Sequence, residues 1–506
     1  MSAVISESLT TTLADASRYP NTDDTKDQPD NDTHVNAFGS SDQPGFTTFS
    51  IRATTGPDAG PLIDLYSRLF HNQYDAVNNP GGIVSLGVAE NLMMQKECFE
   101  IFTKALKNMT PLDLSYGDSL WGSRRLNKAL SEFINDRFSP AMEIKPEHII
   151  TGTGASAVLD QLFFTLLDEG DAVLLAAPYY TGFDRDLVSR GKVTLIPVYL
   201  PPKDLFSPEG LELFNAKYEK QTKNGLNHSA KKTITKVVCN PQNPLGRPYP
   251  RATLLAYAKF CEERDLHLVS DEIYAMSVYE NKKYPDALPF TSFLSLNFDK
   301  ELSGMTFDKA RLHGKFLETS ISKLSSPQQP IATPRLKPTT SLSSFCANGF
   351  RIGALISPSN PHLLLTMAKT SSLMRISSPS DVIWSCLLND KATLQAFIDK
   401  NRERLAEAQA FVRGWFEGRG VVVADSNAGN FVWINLGQRL GFTDVQTEKQ
   451  VFHKLLHSGV YIAPGTANYH HNEAGWYRVT FTVARQDLVT GLDRMERILG
   501  LTLIKS

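Results

Sequence analysis

Apolar residues along this chain recur with two different periods, and the periods alternate. From about residue 60, "PLIDLYSRLF" has helical spacing, and "SAVLDQLFFTLLDEG" reads as an amphipathic helix closed by Gly170. "DAVLLAAP", "VTLIPVYL", "ITKVVCNP" and "LHLVSDEIY" are short apolar runs bounded by turn residues, which predicts buried strands. "RATLLAYAKFCEERD" is a helix between two of them. Strand–helix–strand alternation predicts an α/β fold around a mostly parallel sheet. Residues 390–420 predict one long helix capped by glycine. Strand-like "VVVADSNAGNFVWINL", another helix and "WYRVTFTV" follow, a set that reads as a smaller α+β domain. Residues 315–344, rich in Ser, Pro and Thr, have no clear periodicity and read as a loop or insertion.

Composition narrows the class. Residues 1–45 cannot bury enough apolar surface to offset the entropy of ordering, so a disordered tail is expected there. The same segment lacks a basic stretch followed by an apolar one and is too acidic for a transit peptide. The remaining length allows two or three domains. The expected layout is 46–120 as an N-terminal arm with part of the small domain, 121–370 as the large domain, and 371–506 as the C-terminal small domain. Hydrophobic content of 42% and charged content of 21% are those of a soluble globular protein. A net charge of −2 gives no reason to expect a nucleic-acid partner, and no run of eighteen apolar residues predicts a membrane span. The five cysteines (Cys98, Cys239, Cys261, Cys346, Cys386) are scattered and show no metal spacing, which points to a reducing, cytoplasmic compartment and no metal site.

Five stretches carry candidate chemistry, and each has a plainer alternative. In "VVCNPQNPLGRPYP" a strand ends and the chain turns through two Asn-Pro pairs. Residues before proline are held extended, which would aim the Asn243 amide out of the strand end; the alternative is a simple turn. "HLVSDEIYAMSVYE" puts Asp271 and Tyr274 at the end of the next strand, where a carboxylate is costly unless paired with a cation or used as a helix cap. "TGTGASAVLDQLFF" is a Gly-rich turn opening a helix. The backbone N–H groups of Gly154, Ala155 and Ser156 could hold a phosphate there, or the turn could be ordinary. "AAPYYTGFDRDL" offers tyrosines that stack on a flat ring or fill the core. "EAGWYRVTFTV" places Arg478 on a strand, where its fork needs a carboxylate from a ligand or from the protein itself.

Taken in order, these stretches resemble fold-type-I pyridoxal-phosphate (PLP) enzymes. The class I/II aminotransferases, and within them the aminocyclopropane-carboxylate (ACC) synthase branch, are the family they look like. "LGVAENLM", "PYYTGFDRDL", "NPQNPLG", "SDEIYA", "FCANGFRIG", "NAGNFVWINL" and "GWYRVTF" match that pattern over roughly residues 60–500, with "FCANG" in a filamentous-fungal spelling. The resemblance implies a large domain with a seven-stranded-type, mostly parallel sheet and a smaller α+β domain. PLP would be the cofactor, an amino acid the substrate, and a homodimer the working unit. It also implies roles. Gly154, Ala155, Ser156 and Arg351 would hold the phosphate, and Tyr180 would stack on the ring. Asn243 and Tyr274 would bond the ring hydroxyl, and Asp271 would pair with the ring nitrogen. Arg478 would bind the substrate α-carboxylate, Glu90 would lie near the substrate, and Tyr116 would reach the neighbouring subunit's phosphate.

One position departs from the family. The pattern places a lysine eight residues before the arginine, in Ser-Lys-Asp; here that position is Ser343, and Ser344 replaces the aspartate. A hydroxyl cannot make the covalent link that the amine makes and is a poor shuttle for the Cα proton. Three explanations stay open. Lys323, in "SISK", or Lys337 could substitute. The chain could be a PLP-binding pseudoenzyme that acts as a binding subunit. Or "RLHG" (311–314) could be the strand that should run straight into Met-Ser-Lys-Asp, with residues 315 to about 344 translated intron or a mis-joined exon, since Gly314-Lys315-Phe316 can be encoded by GGTAAGTTT, which contains a GTAAGT splice donor. If the chain is an enzyme, transamination and ACC-type or C–S elimination are both within the resemblance.

Overall fold

The computed structural model describes residues 60–223, 234–302, 336–341 and 346–504. The helix Gly60–His71 leads to β1 (Val84–Ser85). A seven-stranded sheet follows, built from β2 (Ile149–Gly152), β3 (Ala172–Ala177), β4 (Thr194–Tyr199), β5 (Ile234–Cys239), β6 (His267–Asp271), β7 (Leu336–Ser341) and β8 (Gly353–Ile356). Its order is β2-β8-β7-β6-β5-β3-β4, with β8 antiparallel to both neighbours and the other pairs parallel. Helices cover both faces, as a parallel sheet requires. One face packs Leu174, Val238 and Leu268 against Phe214, Tyr257 and Phe260. The other packs Leu175, Val237 and Val269 against Val158, Leu162 and Phe163 of the helix Ala155–Leu166.

The C-terminal part starts on the helix Lys391–Glu417, whose N-terminus is capped by Asp390 accepting from the Thr393 N–H. It continues through β9 (Val422–Val423), β10 (Phe431–Asn435), β11 (Val460–Tyr461), β12 (Ala463–Pro464) and β13 (Trp476–Thr480). Four of these form an antiparallel sheet, β12-β13-β10-β9, and β1 pairs with β11. Val84 and Leu86 thereby enter the same core as Leu405, Val432 and Leu492.

Two expectations change. β4 is an edge strand with exposed Thr194 and Tyr199, so it is buried on one side only. The "loop or insertion" 315–344 contains a central strand: Leu336–Ser341 pairs with β6 and β8. "LKPTTS" has no apolar run and contains Pro338, so hydrophobic pattern alone could not mark it; position between two strands decides. Lys323, Ser343 and "RLHG" lie outside the described residues.

The lysine of "ITKVVC" is an unexpected core residue. Lys236 is fully buried on β5, with Nζ 3.3 Å from the Phe214 ring centre and 3.9 Å from that of Tyr257. Nζ has no hydrogen-bond partner among the described residues, and the adjoining cavity of about 10 Å³ has room for at most one water. Burial lowers this amine from 10.5 to about 7. The cost of the charge is therefore full below pH 7, fades as pH rises, and is gone above 10.5. Its upper bound is about 5 kcal/mol, partly offset by about 2 kcal/mol of cation–π attraction. Lys236→Met should raise Tm at pH 6, and the gain should shrink toward pH 10. Calorimetry at the two pH values tests this, and a lower Tm at pH 6 rejects it.

Candidate active site

The C-terminal ends of β5 and β6 place the candidate residues. Cys239 lies opposite Asp271, and the chain then enters the loop 240–247. Polar side chains fix that loop. The Asn240 amide donates to the Thr291 carbonyl at 2.8 Å and accepts from the Tyr249 N–H at 3.0 Å. Gln242 Nε2 donates to the Pro178 carbonyl at 2.6 Å, and its Oε1 accepts from the Leu245 N–H at 2.8 Å. Asn243, on the loop so held, is buried and accepts on Oδ1 from Arg478 Nη1 at 3.1 Å. Gln242 carried no signal that separated it from a turn residue in the sequence.

Asp271 is buried, and its Oδ1 accepts from the Ile273 N–H at 3.2 Å. It does cap a turn, but one N–H is little compensation for burial, which raises the carboxyl from 3.8 to about 7. Among the described residues no cation lies within 4.0 Å of it. Tyr274 meets Phe431 edge-on at 5.3 Å, and burial pushes its hydroxyl well up, so it remains a protonated donor.

The turn before the helix Ala155–Leu166 is shaped by glycine. Gly154 has φ +89°, and a Cβ there would lie 2.6 Å from Arg351 Nη2. A Cβ on Gly353 would in turn lie 2.6 Å from the Gly154 carbonyl carbon. Arg351 thus sits against the helix N-terminus that carries Ala155 and Ser156, and donates to the Asn348 carbonyl at 3.3 Å. Asp186, a buried carboxyl that the sequence reading passed over, accepts on Oδ1 from Arg185 Nε and Nη2, each at 3.2 Å; burial raises its pKa.

Arg478, on β13, is 3% exposed. Besides Asn243, it donates from Nη2 to the Gly87 carbonyl at 2.7 Å, and its guanidinium lies over Phe431 at 4.8 Å and Tyr469 at 5.1 Å. Nε has no partner, and among the described residues no carboxylate pairs with the group. The internal salt bridge is therefore not what holds it. Tyr180 is partly exposed, its ring folded over Gly182 and edge-on to Phe183 at 5.8 Å.

Two further candidates are exposed, and a third lies lower in the sheet. Glu90 is exposed, on the rim of a groove of about 750 Å³ shared with Phe99, Cys346 and Phe350. Tyr116 is 92% exposed, beside Leu112 and Leu114 at 80% and 85%. Lys337 lies on β7 opposite Val269, whereas Thr339 stands opposite Asp271, so the Lys337 backbone is two positions below the strand end. Lys236 cannot stand in for the missing amine. It shares its register with Leu174 and Leu268, on the sheet face opposite to Val269 and Asp271.

An anion cradle at a helix N-terminus, a buried carboxyl without a cation and a buried arginine without an anion suit a phosphorylated aromatic cation plus a carboxylate ligand. The residues present therefore fit PLP. Residues 82–495 match the family model "Aminotransferase class I and II". The chain belongs to that family, and PLP is its cofactor. It is 30% identical to the probable aminotransferase sirI of Leptosphaeria maculans, over 82% of this chain and 93% of that protein. It is also 30% identical to 1-aminocyclopropane-1-carboxylate synthase 9 of Arabidopsis thaliana, over 82% of each. The fold matches Thermus thermophilus aspartate aminotransferase with maleate at a TM-score of 0.65 and 20% identity, over 89% of this chain and 99% of that one. Among the described residues no helix is long and apolar enough to cross a membrane.

Proposed function

We propose that the natural protein is a PLP-dependent enzyme acting on an α-amino acid, by transamination or by ACC-synthase-like or C–S elimination. The observation that carries this is Arg478, a buried guanidinium with a free Nε, bonded to Asn243 on the loop that leaves β5 next to the strand end carrying Asp271. PLP, when bound, supplies the electron sink for breaking bonds at the substrate Cα. The chain supplies the rest. Gly154, Ala155, Ser156 and Arg351 would hold the phosphate and Tyr180 one ring face, while Asn243 and Tyr274 would hold the ring hydroxyl. Asp271 would keep the ring nitrogen protonated, and Arg478 would fork onto the α-carboxylate. Relatives named both as aminotransferases and as an ACC synthase support the class and leave the choice of reaction to the pocket.

A proton-moving amine is the missing part. Three proteins decide its origin: the chain as written, Ser343→Lys, and a version with residues 315–344 replaced by Met-Ser-Lys-Asp after Gly314, in which "RLHG" would take the place of the deleted strand Leu336–Ser341 between β6 and β8. The absorbance of a covalent amine–PLP link and turnover on a panel of amino acids should be near zero, partial and full, respectively. Activity of the written chain equal to that of the rebuilt one would rule out a mis-joined exon and send the search to Lys323 and Lys337 by borohydride labelling. A rebuilt protein without cofactor link or turnover would put the second reading, a PLP-binding pseudoenzyme, first; Ser343 is the residue that favours it. The same experiment should separate keto acid from elimination products.

The working unit is proposed to be a homodimer. Tyr116, Leu112 and Leu114 form an exposed apolar cluster of the kind that a partner covers. Sedimentation should give twice the chain mass, and Leu112→Asp with Leu114→Asp should give monomers with weakened PLP binding. A monomeric parent that binds PLP tightly would count against it.

A further inference from the structure

Both neighbours of Tyr180 are tied to one turn of the C-terminal part. The Tyr179 N–H donates to the Tyr469 carbonyl at 2.9 Å, and the Thr181 hydroxyl donates to the Asn468 carbonyl at 2.8 Å. Side chains close the circuit. Asp184, in the first turn of the helix Gly182–Val188, accepts from the Tyr179 hydroxyl on Oδ1 at 3.0 Å. Its Oδ2 lies 2.6 Å from His470 Nε2. The Tyr179 and His470 rings stack at 4.7 Å and 20°. Burial and the adjacent Asp184 push the Tyr179 hydroxyl well up, so it stays a donor. His470 holds φ +49°, a left-handed conformation that a non-glycine residue keeps where its surroundings over-determine it.

The turn reaches Arg478 as well. Tyr469, the residue before His470, lies 5.1 Å from the Arg478 guanidinium. Asp184 therefore adds a side-chain link to the two bonds that already tie the loop seating Tyr180 to the turn that backs Arg478. None of the predicted roles uses Asp184, Tyr179 or His470.

We propose that Asp184 and His470 are positioning residues that couple the seat of Tyr180 to the strand carrying Arg478, so that PLP and a substrate carboxylate bind cooperatively. The coupling needs no contact between the two ligands. A carboxylate on Arg478 favours the arrangement in which the 468–470 turn is docked, and the docked turn fixes Tyr179, Thr181 and the ring between them. By linkage, PLP must favour the carboxylate to the same extent. The proposal rests on the cofactor reading above.

The test is PLP affinity of the full chain, alone and with propionate as a carboxylate probe, together with the circular dichroism induced in bound PLP. Propionate should tighten PLP binding about tenfold in the parent chain. Asp184→Ala and His470→Ala should lose that enhancement and alter the induced dichroism. His470→Gln, which keeps a donor toward Asp184, should retain most of it. Tyr179→Phe, which keeps the stack and removes only the hydroxyl, should lose part. Asp184 and His470 are about one-third exposed, so these variants leave the core intact. A merely structural role would lower Tm without changing the propionate effect, and that result overturns the proposal. So does a parent chain in which PLP binds and propionate changes nothing. A parent chain that binds no PLP is a different failure: the cofactor reading falls, and this inference falls with it.

Discussion

Asp271→Asn is expected to raise the stability of the cofactor-free protein and to remove its tight PLP binding. Folding raises this carboxyl from 3.8 to about 7, through burial. A group raised on folding contributes stability below its unfolded value and loses it as pH rises through the folded value. Above pH 7 the folded protein carries the full cost of a buried anion, at most about 4 kcal/mol. Asparagine keeps an acceptor for the Ile273 N–H and carries no charge. Its Tm should exceed the parent's by several degrees at pH 8, with the gap closing toward pH 4. PLP affinity should move the other way. The ring nitrogen would lose its counter-charge, and breaking a buried pair costs about 3–5 kcal/mol, a hundredfold or more in Kd. Calorimetry at both pH values and a PLP titration make the pair of measurements. Unchanged PLP affinity would leave Asp271 as a turn cap alone; a lower Tm at pH 8 would mean that the cofactor-free anion already has a partner.

Arg478→Ala should abolish preference for the α-carboxylate. In whichever of the three proteins described above turns over, kcat/KM for the best amino acid should fall about 10²–10⁴-fold, from losing one side of a desolvated charge pair. PLP affinity without substrate should change far less. The decisive comparison is an amino acid against the amine lacking its carboxyl group. The parent should discriminate strongly and the variant weakly. Arg478→Lys should recover little, because a point charge cannot reproduce the fork that reaches Asn243 and Gly87 while leaving Nε for a ligand. Discrimination that survives in Arg478→Ala would move the carboxylate site elsewhere.

Several site positions were legible because their local chemistry is unusual. Asp271 ends an apolar strand, Gly154 precedes a helix, and Asn243 lies between a strand end and a proline. Such residues stand out from their neighbours without any knowledge of contacts. Gln242, Asp186 and the Asp184–His470 pair did not, since polar residues in loops and helix starts are common and only their partners distinguish them. Those partners are far away in sequence: Asp184 meets a histidine 286 residues on.

What the sequence by itself determined was the kind and order of most elements, the α/β class and the identity of the family, because hydrophobic period and short motifs are local properties. Position in the sheet was decided only in three dimensions. β7 is a central strand with a proline and no apolar run, defined by the β6 and β8 backbones on either side. The same holds for Lys236: one lysine in an apolar strand reads as an interruption, yet its stem and amine fill an aromatic box on the sheet face away from Asp271. Arg478 is the converse case. Its strand could be read from the chain, but the sequence left its partner open between a protein carboxylate and a ligand. Packing surrounds the guanidinium with Asn243, Gly87, Phe431 and Tyr469, and with no acid among the described residues. Pairing of a buried charge depends on which distant side chains come within about 4 Å, and that distance exists only in the folded chain.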